Sequence, residues 1–155
     1  MHSAAFVAIG LLLVACEPVG PLAGHTLAGE PTPPPADWTS VAGAETVQLQ
    51  TRQDDPYSVN IWGVAIGPDF YVASARGANA SWVGHIASSP DVKLRIGKAL
   101  YDLRAVRVSD TGELARVSAA YAAKYKMDDE DKPKEPWVYR LDRRTTASAT
   151  PAASP

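Results

Sequence analysis

The sequence predicts a mainly β protein with two short helices, an α+β chain of six antiparallel strands. Three observations carry this expectation. Short runs alternate apolar and polar residues with the period of a strand, Gly, Pro and Asp separate those runs, and only two segments place apolar residues at helical spacing.

The elements follow in order. Glu45–Thr51 alternates, with Val47 and Leu49 on one face. Tyr57–Ile66 alternates too, and both of its faces are apolar: Val59 and Ile61 oppose Trp62, Val64 and Ile66, as suits a strand inside a barrel. Gly67-Pro68-Asp69 supplies a turn into the strand Asp69–Ala75. Residues 78–87 read as a short amphipathic helix, with Trp82 and Ile86 four apart and Val83 beside them, halted by Ser88-Ser89-Pro90. Val92, Leu94 and Ile96 then alternate strictly with Lys93 and Arg95, which gives that strand one buried and one wet face. Gly97-Lys98 turns it into Ala99–Val108. Asp110 reads as an N-cap, with Glu113 three residues on in a capping-box pattern, and Leu114, Val117, Tyr121 and Tyr125 form the stripe of a second helix ending near Lys126. A final strand, Glu135–Leu141, aligns Trp137, Tyr139 and Leu141. The order is β-β-β-α-β-β-α-β.

The ends read differently. Residues 4–15 are an apolar run too short to span a bilayer, which needs about 20 residues, and fit the core of a signal peptide. The run closes on Leu13-Val14-Ala15-Cys16, which resembles the bacterial lipobox, so residues 1–15 are expected to be a lipoprotein signal peptide and Cys16 the acylated N-terminus of an envelope protein facing the periplasm or exterior. Residues 16–37 are rich in Gly and Pro and read as a tether, residues 38–144 as the folded domain, and residues 145–155 as a disordered tail.

Composition narrows the function. Across 155 residues, 15 Lys and Arg stand against 17 Asp and Glu, a net charge of −2, so the chain lacks the basic surplus that nucleic acid requires. A disulfide framework is excluded, because Cys16 is the single cysteine. Neither a P-loop, a nucleophile elbow nor a His-Asp-Ser arrangement is present. His85 lacks companions at metal-ligand spacing, and the acidic run Asp128–Asp131 lacks the Gly and distal Glu of a calcium loop, so no metal is expected.

The segment SARGANASWVGHIASSPDVKLRIG, with Ser74, Arg76, Gly77, Trp82 and Ser89-Pro90, resembles the flavin-binding split β-barrel superfamily typified by pyridoxamine 5′-phosphate oxidase. It is most similar to the deazaflavin-dependent nitroreductase branch and a related uncharacterised bacterial family. Arg107–Thr111 (RVSDT) and Ala119–Tyr125 extend the match, which covers residues 38–144. The resemblance implies a six-stranded antiparallel split β-barrel, a homodimer with sites at the subunit cleft, and FMN or a deazaflavin as cofactor.

It also implies roles for particular residues. Arg76 and Gly77 stand where a cofactor phosphate tail would lie, and a guanidinium binds phosphate bidentately while Gly admits close backbone approach. The same pair reads equally as a solvated Arg beside a turn Gly. Trp82 would offer a stacking surface, or anchor the short helix in the core. Arg52 closes the first strand where the family carries a basic, Gly-rich phosphate loop, but here the loop holds Asp54 and Asp55 and no Gly, and carboxylates repel phosphate. Tyr121 and Tyr125 serve packing, with hydroxyls free to donate to a substrate. Two readings stay open: an oxidoreductase acting on a small ring-containing substrate, and a non-enzymatic envelope module that kept the barrel without a cofactor.

Overall fold

A computed structural model describes residues 24–145. The apolar run and Cys16 lie outside the described residues, as do the first part of the tether and residues 146–155 of the tail. The strands are β1 (Glu30–Pro31), β2 (Val47–Thr51), β3 (Tyr57–Ile61), β4 (Gly63–Ile66), β5 (Asp69–Ser74), β6 (Asp91–Ile96), β7 (Ala99–Arg107) and β8 (Trp137–Arg143), with helices α1 (Ser81–Ser88) and α2 (Thr111–Tyr125). The mainly β class with two helices is as the sequence predicts. The strand count is eight, not six, for two reasons.

The first is a break at Trp62. The sheet runs β3-β2-β6-β7-β8-β5-β4, so the two ends of the path are consecutive in the chain. Residues 57–61 pair with β2 and residues 63–66 with β5, and one bent segment thereby closes the sheet on itself. Gly63 permits the bend to seat tightly: a Cβ there would stand 2.7 Å from the Phe70 ring. The second is β1, which pairs in parallel with Ala99 and Leu100 of β7. Those residues carry β6 on one edge, and β8 does not begin on the other edge until Leu103, so β1 takes up the backbone groups left open.

Residues 24–37, which the sequence assigns to the tether, lie along this surface. Leu27 is buried with its amide donating to the buried Gln50 side chain at 2.7 Å, and Ser58 Oγ donates to the His25 carbonyl at 2.7 Å.

Two apolar clusters divide the interior. Inside the barrel, Trp38, Leu49, Phe70, Val72, Leu94, Leu103 and Leu141 pack together, and α1 adds Trp82, Val83 and Ile86. Trp38 is the anchor of this cluster, 2% exposed, with ring centroids 5.3 Å from Phe70 and 5.0 Å from Tyr101. Val92, Leu94 and Ile96 all point into it, as their alternation requires. On the opposite face of β4, β5 and β8, Val64, Tyr71 and Val138 meet Val117, Leu114, Tyr121 and Tyr125 of α2.

Helix α2 begins as expected, with the Asp110 carboxylate accepting from the Glu113 amide at 2.7 Å, and ends at Lys126 in the left-handed region (φ 53°). The capping box is not reciprocated. The Glu113 carboxylate instead accepts from Tyr71 Oη and from Arg140, both at 2.8 Å, and so ties α2 to the sheet.

Leu94 is fully buried, whereas Lys93 on the wet face pairs with the half-exposed Asp102. Leu94→Ala is expected to cost about 2–5 kcal/mol and Lys93→Ala under about 0.5 kcal/mol, and equal urea midpoints would contradict this assignment of faces. At Gly63 an added methyl meets a core ring, while at Gly84 in α1 it meets nothing within 4 Å. Gly63→Ala is therefore expected to destabilise by about 1–3 kcal/mol, and Gly84→Ala to stabilise by up to about 1 kcal/mol, in thermal unfolding.

Candidate functional site

The bend at Trp62 leaves backbone groups that no strand partner satisfies, and α2 satisfies them. Tyr121, Lys124 and Tyr125 share one helix face through spacings of three and four. Tyr121 Oη donates to the Trp62 carbonyl at 3.0 Å. Tyr125 Oη accepts from the Gly63 amide at 3.0 Å and lies 2.8 Å from the Glu45 carbonyl, to which it donates. Lys124 Nζ donates to the carbonyls of Ala44 and Gly63 at 2.6 and 2.7 Å. Burial pushes the Tyr121 hydroxyl far above the usual phenol range, so it remains a donor at any physiological pH. Burial lowers the Lys124 ammonium, with the Glu45 carboxylate opposing that shift. These hydroxyls are committed to the backbone and are not free for a substrate.

The Trp62 indole lies flat on Tyr125, with centroids 4.3 Å apart and planes within 7°. Its other side is open: Trp62 is 49% exposed, the one large apolar side chain so exposed among the described residues. Beside it is a concavity of about 440 Å³ lined by Thr46, Asn60, Ile61, Trp62, Ala73 and Ala75. It lies where the bent segment passes from β2 to β5, and among the described residues no charged side chain lines it. A smaller hollow of about 150 Å³, lined by Trp38, Pro68, Leu141 and the charged Asp69, Asp142 and Arg143, opens elsewhere on the barrel.

The residues singled out in the sequence have separate surroundings. Arg76 follows Ala75 of the concavity directly, at the head of a 3₁₀ turn over Gly77–Asn79. Its side chain is exposed, and its guanidinium has no hydrogen-bond or ion-pair partner among the described residues. Gly77 adopts φ 53°, and the space where a Cβ would point is filled by the Glu135 carbonyl at 3.3 Å and the Trp137 ring at 3.5 Å. It makes the turn and seals it, with Ser74 Oγ donating to its carbonyl at 3.0 Å. Trp82 is 7% exposed, edge-on to Tyr139 at 5.6 Å, and lies in the barrel core, not on the concavity.

Arg52 is held elsewhere. It leaves β2 at φ 57°, and its guanidinium pairs with Asp55 at 3.1 Å. Thr51 Oγ1 and His85 Nδ1 are 2.9 Å apart, and the His85 ring stands edge-on to Tyr57 at 5.0 Å. Burial, then the nearby Arg52 charge, lower the His85 pKa, so the imidazole is neutral at pH 7 and serves to join α1 to the end of β2. Among the described residues no three His, Cys, Asp or Glu side chains gather as metal ligands.

A flavin can be tested against these residues. The concavity lies within the range of about 300–1,000 Å³ typical of ligand sites, and its uncharged lining suits a ring. Arg76 suits an anionic tail. Arg52 does not, because Asp55 already neutralises it, and Asp54 beside it is exposed. The ring and one phosphate contact fit; the second basic contact is compromised.

The described fold is shared with solved structures. The chain is similar to a pyridoxamine 5′-phosphate oxidase-like protein from Listeria innocua (17% identity, 68% of this chain and 88% of that one, TM-score 0.55). It is similar also to a FAD-binding protein from Mesorhizobium loti (18%, 69% and 85%, TM-score 0.52) and to the haem storage protein HutZ from Vibrio cholerae (18%, 66% and 83%, TM-score 0.53). At these identities the likeness shows the split-barrel fold and nothing of activity. Comparison with curated proteins finds no match. Residues 37–147 match the family described as an uncharacterized protein conserved in bacteria (DUF2255), and with most of its length inside that match the chain belongs to this family.

Proposed function

We propose that the chain is a lipid-anchored envelope protein whose split barrel binds a flavin- or deazaflavin-type cofactor and acts as an oxidoreductase on a small ring-containing substrate. The observation that supports this best is the uncharged concavity whose wall at Ala75 runs directly into Arg76, a guanidinium with no acidic partner among the described residues. Arg76 would hold the anionic tail, and the lining from Thr46 to Trp62 and at Ala73 and Ala75 would receive the ring. A bound flavin supplies hydride chemistry at that ring; the protein supplies orientation and a neutral wall. The FAD-binding neighbour from Mesorhizobium loti supports the same use of the scaffold. A second copy of the chain, in a homodimer, would cover the open side of the concavity.

The pairing of Arg52 with Asp55 favours a second reading, a non-enzymatic envelope module that no longer grips a cofactor. Calorimetry with flavin mononucleotide separates the two. One charge-assisted hydrogen bond contributes about 1.5–3 kcal/mol, so Arg76→Ala is expected to weaken mononucleotide binding roughly tenfold or more. Arg52 lies at the turn of the β2–β3 hairpin, at the far end of β2 from Thr46, so an Asp54→Gly, Asp55→Ser double variant tightens binding only if the phosphate lies there and not at Arg76. If neither the wild type nor the double variant binds, and the purified full chain shows no flavin or deazaflavin absorbance, the non-enzymatic reading stands.

Anchoring is tested at Cys16. Cys16→Ser is expected to release the protein from membranes or block its processing, and an intact mass showing an unmodified Cys16 on membrane-extracted wild type would refute the anchor.

A further inference from the structure

We infer that Trp62 is the platform on which the ring lies, and that an uncharged planar heteroaromatic binds there without needing a phosphate. Trp62 has this role only if the concavity takes a ring, as proposed above. An indole 49% exposed that itself lines an uncharged concavity offers a flat apolar face on which a ring can stack. One face is already occupied by Tyr125, so a single face remains for a ligand. Its backbone is fixed from behind, where Tyr121 holds the Trp62 carbonyl and Tyr125 and Lys124 hold the amide and carbonyl of Gly63, and the Tyr125 ring stacked on the indole restrains its rotation, which lessens the freedom lost on binding.

The chemistry of the lining selects the ligand. Thr46, Asn60, Ile61, Ala73 and Ala75 carry no charge, so the part bound here is neutral. The Asn60 side-chain oxygen accepts from Gln48 Nε2 at 2.9 Å, which leaves its amide nitrogen to donate to a ring carbonyl or ring nitrogen. The Thr46 hydroxyl adds a second polar contact on the lining. Ring stacking at Trp62 and anion capture at Arg76 are thus separable contributions.

Riboflavin, which has the ring and no phosphate, and flavin mononucleotide, which has both, are titrated calorimetrically into the full chain. Trp62→Ala is expected to weaken both about tenfold or more, Trp62→Phe to recover most of that loss, and Arg76→Ala to weaken the mononucleotide alone. Trp62→Ala also removes the packing partner of Tyr125, so Ala75→Leu provides an independent block. Ala75 is exposed, and added bulk there fills the concavity from the β5 side, so riboflavin binding should fall by a similar factor with the thermal midpoint unchanged. Riboflavin binding that survives Trp62→Ala in a folded variant but falls in Ala75→Leu overturns the platform and leaves the ring-binding reading intact, whereas binding that survives Ala75→Leu puts the ring outside the concavity and overturns both. A wild type that binds neither flavin overturns both.

Discussion

The rest of the structure depends on one constraint: the backbone groups exposed where the closing strand bends at Trp62 and Gly63 must find partners. A barrel built from an antiparallel path has two open edges, and this chain joins them with a single segment shared between β2 and β5. Sharing forces a break, and a break strands amides and carbonyls whose desolvation without partners costs about 1–3 kcal/mol each. Tyr121, Lys124 and Tyr125 supply those partners from one face of α2. The position of α2, the closure of the barrel and the exposed indole are therefore consequences of the same set of hydrogen bonds. Glu113 secures the other end of that helix by bonding Tyr71 and Arg140.

Electrostatics separates the two arginines that the sequence treats as a pair. Arg52 leaves its strand in a left-handed conformation that turns the following loop so that Asp55, three residues on, reaches back to it. The pair is largely exposed, worth about 1 kcal/mol or less, but it leaves the Arg52 guanidinium neutralised by a carboxylate. Arg76 sits in a turn made by Gly77 and filled from behind by Trp137, with no acid against it among the described residues. The Trp137 ring is covered in turn by Arg107, whose guanidinium lies 3.7 Å from the ring centroid. An aromatic wall and its cation thus support the turn that presents Arg76.

Much of the fold is legible in local pattern. The alternation at Val92, Leu94 and Ile96, the helical stripe from Leu114 to Tyr125, the N-cap at Asp110 and the turn at Gly67 all reappear in the structure, because each depends on residues within a few positions of one another. Trp82 as a core residue was legible in the same way, from its spacing to Ile86. The strand break was not. Alternation continues through Trp62 in the sequence, and nothing within a few residues indicates that Tyr57–Ile61 and Gly63–Ile66 pair with different strands. The docking of residues 24–37 was also hidden, since Gly and Pro suit a tether, and only the open edge of β7 gives Glu30 and Pro31 a partner.

The amino-acid sequence by itself determined the class, the alternating faces, both helices and the residue types available for a site, because periodicity and capping act over one or two turns of chain. Tertiary structure alone decided which of those residues meet. Tyr125 reaches Gly63 across 62 positions and Glu45 across 80. Arg76 is left open beside the concavity, whereas the pairing of Arg52 with Asp55, three residues on, is a local contact. Hydrogen bonds across such spans depend on three-dimensional closure, and no local periodicity encodes the closure of a barrel through one bent strand.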